Sequence, residues 1–592
     1  MSETLYCRTC ARIGRSGYPR SGIPAPLFSR LLTLAAIIAL IGVLPWLSGQ
    51  DPALALLRAR SGDQEATAET LNAIRQSLGL DQGPLQLLAN WLGGLLRGDA
   101  GNSWVSGRPV LPGMLQAAGV SLTLMASAAL VAFSLAALLS ANTFRQGLRG
   151  SVRRSSGLFA AMFTALPEFL LASFLLIVGA VWLQGFPPYG WNGLHYAVLP
   201  ALALGIPAGG YLGRILADAL SATFSESWLT TWNVAGIGRR HIALAVLKRT
   251  LPGVMPLVGL VLVSLTGGAI AVEKVFAIPG LGRATLGAAA AQDLPALQVG
   301  VLMLLIIASL AGMAAAGTRM LLLGRALKHG AMPVPEENQI AVSRYAVWLP
   351  LLCLLLLIVL LIAGLPRDPY SSAFLRLQPP SFALPFGADA MGRDLLARVA
   401  HGTLNTCILA FMVSLACLAI GLFIGVFPRL FIGPIEVANA LPAVIAGLLV
   451  AAINGPTATG AAIAVTAVSW APLAAHTAAQ VSEISARPYI RLLPIIGVGP
   501  VRRSLFYVLP ALIGPLFRHA MLRLPGIALA LASLGFLGLG ASPPTPEWGR
   551  VLAEGMPYIE RACWGVLAPA AALSILSVLA VSAANLSSRS ER

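Results

Sequence analysis

Charge is what this sequence has least of. Of its 592 residues only 11% are Asp, Glu, Lys or Arg, less than half the share of an ordinary soluble domain. Lysine is the scarcest of these: Lys248, Lys274 and Lys328 are the only three, and the rest of the 40 basic residues are arginine. None of the three follows a glycine, since they come after Leu247, Glu273 and Leu327. A G-x-x-x-x-G-K-[ST] phosphate loop is therefore absent, and with it the usual means of hydrolysing ATP. No run of Lys/Arg interleaved with aromatics exists either, so the net charge of +17 does not indicate nucleic acid. Cysteine is sparse. Cys353, Cys407, Cys417 and Cys563 lie in apolar segments as small hydrophobes, and Cys7 and Cys10 form one CxxC without the second pair a zinc site needs. No His/Cys/Asp group has metal-ligand spacing, and no small-residue cleavage site follows Pro45-Trp46-Leu47.

What remains is apolar. Hydrophobic residues make up 57% of the chain and mean hydropathy is +0.80, which places it among integral membrane proteins. Runs long enough to cross a bilayer fall at about 29–47, 116–141, 157–183, 196–213, 255–272 and 297–318, then at about 346–364, 404–424, 436–453, 456–480, 524–540 and 563–586. The expected fold is all-α, with twelve transmembrane helices in two six-helix halves.

The arginines give the orientation. With the N-terminus inside, the cytoplasmic segments hold 27 basic and 7 acidic residues, and the outer loops 13 and 14. That is the asymmetry of the positive-inside rule, so both termini are placed in the cytoplasm. Two acids remain at membrane depth, Glu168 and Glu436.

The halves repeat. Ala165-Leu166-Pro167 and Ala440-Leu441-Pro442 lie 275 residues apart in the two third spans. Each fourth span precedes a long basic loop, 214–254 and 481–523, and each fifth a Gly-rich elbow, Pro279-Gly280-Leu281-Gly282 and Leu537-Gly538-Leu539-Gly540. The sequence divides into an N-terminal tail (1–28), a first half (29–324) with an extracytoplasmic loop at 48–115, a linker (325–345) and a second half (346–592). The basic loops, centred on Gly236 and Gly497, read as helix, glycine, helix, a form suited to docking in a groove of a cytoplasmic partner. An ordinary basic surface loop is the alternative at either one. The inside segment FRQGLRGSVRRSSG lacks the Asp of the major facilitator pattern.

In these strings the chain resembles the permeases of dipeptide/oligopeptide/nickel ABC importers, as two permease subunits fused head to tail. The first half carries LGLDQ (78–82), WLGGLLRGDAGNSWVSGRPV (91–110), LPALALG (199–205), GYLGR (210–214) and VEKVFAIPGLGR (272–283). The second carries GADAMGRDLLARVAHGT (387–403) and SLGFLGLGASPPTPEWGRVLAEG (533–555). The resemblance implies the type I importer fold in a bacterial inner membrane. It also implies two ABC ATPase subunits, or one fused ATPase, that hydrolyse ATP outside this chain, and a periplasmic solute-binding protein; the permease itself is no enzyme and binds no cofactor. The coupling surface maps to Ser227, Trp228, Ala235, Gly236, Tyr489, Arg491 and Gly497. The family's acid and alanines in the coupling helix are replaced here by Arg491-Leu492-Leu493 and Thr230-Thr231-Trp232, and its arginines ahead of the second loop by Ala475 and Ala478.

Pro167, Glu168, Glu436 and Pro442 are the candidates for the translocation path. An intramembrane carboxylate faces a wet path or a partner, Arg429 being available to Glu436. The prolines are expected to kink their spans, freeing carbonyls for substrate or merely for packing. His476 reads as bonded to a neighbour rather than to a metal. Peptides, metallophores and nickel all remain open as substrates, and a proton-coupled secondary transporter is the rival from another class.

Overall fold

The computed structural model describes residues 35–47, 67–77, 83–150, 167–323, 347–426 and 441–587, with 53, 54, 57, 431, 434, 435 and 437–439. The Cys7/Cys10 tail, the linker 325–345, Glu436 and Arg429 lie outside them.

Among the described residues, the expected spans fall on helix. A lipid core offers no water to backbone N–H and C=O groups, so an apolar run must satisfy them internally as a helix. After helical turns at 35–47, the first half contains α1 (Val110–Leu148), α2 (Glu168–Leu175, continued as a π-helix over Leu176–Trp182), α3 (Val198–Phe224), α4 (Ser227–Val234), α5 (Arg239–Val275), α6 (Leu281–Ala290) and α7 (Leu294–Leu323). The second half contains α8 (Trp348–Gly364), α9 (Leu395–Val426), α10 (Ala443–Asn454), α11 (Ala458–Ala486), α12 (Pro488–Leu492), α13 (Leu509–Leu537), α14 (Trp548–Gly555) and α15 (Trp564–Ser587). Element for element, α1 to α7 match α9 to α15. Seven of the described helices are long and apolar enough to cross a membrane, and four more are shorter.

Two features depart from the expected outline. The fifth span is not confined to 255–272, because α5 runs unbroken from Arg239, so the second helix of the basic loop is the N-terminal end of the span itself. In each half a short helix, α6 or α14, also sits between the fifth and sixth spans.

Small residues set the packing between spans. On α3, Gly205, Gly209 and Gly213 recur every four residues and lie against α1. A Cβ at Gly209 would come within 2.8 Å of the Ala132 carbonyl and 2.9 Å of Leu135. In the second half the equivalent helices exchange roles: Gly421 and Gly425 are on α9 and meet Leu473, Ala474 and Thr477 of α11. Since lipid supplies no hydrophobic drive between helices, close backbone approach is what dispersion requires there.

Candidate functional site

The halves meet where α5 passes α10 and α13. Gly267 and Gly268, adjacent on α5, divide the two Ala-Leu-Pro elements between them. A Cβ on Gly267 would lie 2.7 Å from the Pro442 side chain, and one on Gly268 would lie 3.5 Å from that of Glu168. Glu168 and Pro442 are thus brought to one place, together with Pro167, and Glu168 forms no ion pair among the described residues.

The prolines do something other than kink a helix. Pro167 (φ −61°, ψ 149°) and Pro442 (φ −62°, ψ 139°) are extended N-cap residues from which α2 and α10 start. Their carbonyls are not free: Pro167 O accepts from the Leu170 and Leu171 amides at 3.1 and 3.0 Å, and Pro442 O from Ile445 at 3.0 Å. Proline fits a helix start because its missing N–H would have no partner there anyway. The effect is to place Glu168 in the first turn of α2, where the helix dipole favours a negative charge.

Six residues beyond Gly268, about 9 Å along the helix, the two halves are bridged again. Lys274 Nζ donates to the carbonyl of Phe536 at 2.6 Å and lies 5.2 Å from its ring centroid. Phe536 stacks on Phe169, the neighbour of Glu168, at 5.4 Å. Elements of both halves therefore close on each other at the C-terminal ends of α5 and α13.

Each elbow holds a buried glutamate, which the sequence reading did not single out. Glu273 accepts from Ser121 Oγ and from the Arg283 amide, the latter at 2.9 Å, and so caps α6. Gly280 and Gly282 leave the space it occupies. Glu547 is the N-cap of α14, accepting from the Gly549 amide at 3.3 Å, and Gly535 and Gly540 make room for it. Burial raises the Glu547 carboxyl to about 8 in spite of its backbone hydrogen bonds and Arg550. An acid within each quoted glycine-rich string was the available signal.

The GADAMGRD string fastens the start of α9 to α14. Asp389 Oδ2 accepts from Arg393 Nε at 2.7 Å and Arg398 Nη1 at 2.6 Å, and both arginines also reach Glu554. Burial alone would raise Asp389, but hydrogen bonds from Arg393 and Met391 and the two guanidinium charges hold it below the usual carboxylate range.

Each basic loop stands on its own small core. Leu220, Phe224, Leu229, Ile242 and Val246 form one, and Ile484, Ile490, Leu493, Val508 and Leu512 the other. Gly236 (φ +71°) and Gly497 (φ +85°) turn the chain in the left-handed region that favours glycine. Trp228 Nε1 donates to Glu226 Oε2 at 2.6 Å and Trp228 packs edge-on to Trp232. Ser227, Ala235, Gly236, Tyr489, Arg491 and Gly497 are exposed, with Trp228 half-buried. Around them Val234, Leu492, Ile495 and Ile496 leave apolar surface uncovered. His476 stacks on His519 at 4.1 Å and is 3.1 Å from Gln480 Nε2, a neighbour contact of the expected kind.

The sequence pattern of the binding-protein-dependent transport system inner membrane component matches twice, at residues 133–326 and 415–592. The chain is 36% identical over 236 residues to the di/tripeptide transport system permease protein DppC of Pseudomonas aeruginosa, covering 36% of this chain and 76% of that one. It is 33% identical over 229 residues to the dipeptide transport system permease protein DppC of Escherichia coli (36% and 75%). A putative peptide transport system permease protein of Brucella suis is 30% identical over 298 residues (47% and 86%).

Proposed function

The chain belongs to the family of inner membrane components of binding-protein-dependent transport systems, and from that membership we propose that it is by itself both permease halves of an ATP-driven peptide importer. The peptide substrate comes from the relatives, which are named as peptide, dipeptide or di/tripeptide permeases. The family works with ABC ATPases and a solute-binding protein. We place the ATPases, two subunits or one fused pair, under the loops at Gly236 and Gly497, and the binding protein over α6 and α14. The ATP is theirs, and this chain contributes no cofactor and no catalytic group.

The observation that carries this reading is the pair of equivalent loops, each with its own core and an apolar tip. Residues such as Ile495, 80% exposed, and Val234, 85% exposed, are apolar surface that a groove on a soluble partner would bury. Closure of an ATPase dimer beneath both loops would move α4/α5 against α12/α13. Those same helices carry Lys274 and Phe536 at the outer plug, so pulling on the loops opens the far end. ATP binding then acts as a shift between two packings of one interface. Glu168, below the plug, is the group we assign to the ammonium of a peptide in transit, and both termini are placed in the cytoplasm by the charge asymmetry.

Co-purification with the partner ATPases tests the assignment. Ile495→Asp with Val234→Asp is expected to release the ATPases and stop ATP-dependent peptide uptake while the protein stays in the membrane. Unchanged ATPase binding in that variant would overturn the placement, and uptake insensitive to ATP depletion would overturn the transport class.

A further inference from the structure

Arg523 stands in the middle of α13, a helix long and apolar enough to cross the membrane. It belongs to the stripe of Leu516, Ala520, Ile527, Leu531 and Leu534, which recur at three- and four-residue steps through it and are all buried. The stripe faces protein rather than lipid, since Ser414 Oγ of α9 donates to the Ala520 carbonyl at 3.3 Å. The guanidinium is also within electrostatic reach of the Cys417 thiol of α9 and, in the other half, of the Tyr211 hydroxyl of α3. A cation is thus held at the boundary between the halves.

Among the described residues Arg523 forms no ion pair and no hydrogen bond, and no carboxylate acts on it. The titratable groups beside it are instead His519, one turn away, and His476, stacked on His519 at 4.1 Å. Its nitrogens, unlike Nε of Arg319 and of Arg398, are not among the buried atoms that lack a partner, so they open on accessible space. A charge inside a spanning segment is costly and marks a substrate or ion route. The anion that best fits a guanidinium is a carboxylate, which accepts two parallel hydrogen bonds from it.

The length of a ligand reaching both charges follows from the helices that meet at Lys274 and Phe536. Gly268, against which Glu168 lies, is six residues or about 9 Å before Lys274, and Arg523 is thirteen residues or about 20 Å before Phe536. Glu168 and Arg523 are therefore about 10 Å apart along the helices, the reach of about three extended residues. We propose that Arg523 is the binding site for the C-terminal carboxylate of the peptide whose ammonium Glu168 holds, so that the path takes a short peptide with both ends free. This rests on the placement of Glu168 in the path made above. A C-terminal amide has no second oxygen to offer the guanidinium, and a much longer peptide cannot set both ends at once.

The test is binding of radiolabelled trialanine and of trialanine amide to the purified full chain in phosphatidylcholine nanodiscs, with no binding protein present to impose its own selectivity. The wild type is expected to bind trialanine about tenfold more tightly than the amide, the factor a charge-assisted contact supports. Arg523→Gln should bind both as the wild type binds the amide, with an unchanged melting temperature. Arg523→Lys keeps the charge without the fork and should retain only part of the preference; full preference there would overturn the paired contact. No preference in the wild type, or equal losses for both ligands in folded Arg523→Gln, would overturn the site. Loss of the preference in phosphatidylglycerol nanodiscs would also overturn it, by giving Arg523 to lipid phosphate. Glu168→Gln separates the two readings: weaker binding of both ligands with the preference kept is expected, whereas unchanged binding would remove Glu168 from the path and leave the carboxylate site standing.

Discussion

Lys274 of the first half donates to the backbone carbonyl of Phe536 in the second at 2.6 Å. The last turns of α5 and α13 are thereby joined, each at the opposite end of its helix from one of the basic loops. A hydrogen bond from a charged donor contributes about 1.5–3 kcal/mol net, and a loss of 1.4 kcal/mol changes a two-state ratio about tenfold. Lys274→Met is therefore expected to release the outer plug and to raise ATP hydrolysis several-fold without binding protein. ATPase activity that still depends fully on the binding protein would show that the contact does not hold the closed state.

Glu168 meets no cation among the described residues and lies against Gly268 of α5, beside the Gly267–Pro442 contact between the halves. Glu168→Gln keeps the shape and removes the charge. Peptide uptake is expected to fall by about tenfold or more, as for loss of a charged contact, with membrane abundance unchanged. Wild-type uptake would remove Glu168 from the path.

Gly209 lies 2.8 Å, measured from a virtual Cβ, from a backbone carbonyl that cannot withdraw. Gly209→Val must push α1 and α3 apart. A cost of about 1–3 kcal/mol is expected for overpacking, seen as a lower melting temperature in detergent and lower abundance. Gly253, whose Cβ would meet nothing within 4 Å, should tolerate alanine; equal losses at both positions would refute the close-approach argument.

Glu547 links stability to pH. Its carboxyl is raised by burial to about 8, so between about 4.5 and 8 the folded chain keeps a proton that the unfolded chain has lost. Its contribution is complete below the unfolded value and is lost as pH rises through 8. Asp389, held low against its desolvation by the Arg393 amide and the Arg398 and Arg393 charges, and Glu554, held low chiefly by Arg398, act in the opposite sense and lose their contribution as pH falls below the usual carboxylate range. The Glu547 contribution to melting temperature should therefore decline between about pH 4.5 and 8 and level off above that, and Glu547→Gln should remove that decline while leaving the acid limb. A decline unchanged in the variant would assign it to another group.

Much of the architecture was legible because a bilayer leaves an apolar run few choices. The twelve runs, the repeat at Pro167 and Pro442 and the glycine turns at 236 and 497 all follow from local composition and spacing. The role of the prolines was not legible. A proline within an apolar run can kink a helix or start one, and that choice depends on residues outside the run. The continuation of the basic loop into α5 was hidden for a related reason: Arg239, Arg240, Lys248 and Arg249 end the apolar signal without ending the helix.

The sequence by itself determined that this is a membrane protein of two matched halves, each with a basic loop turned at a glycine. Only the tertiary structure decided which residues meet across the halves. Glu168 and Pro442 flank Gly267 and Gly268, Lys274 reaches Phe536, and Glu273 is satisfied where Glu547 keeps an orphan oxygen. Spans and topology depend on each segment's own transfer into lipid, a local quantity. Contacts between segments as far apart as Phe169 and Phe536 depend on which small residues allow backbones to approach, and that is a property of pairs which no single run of sequence contains.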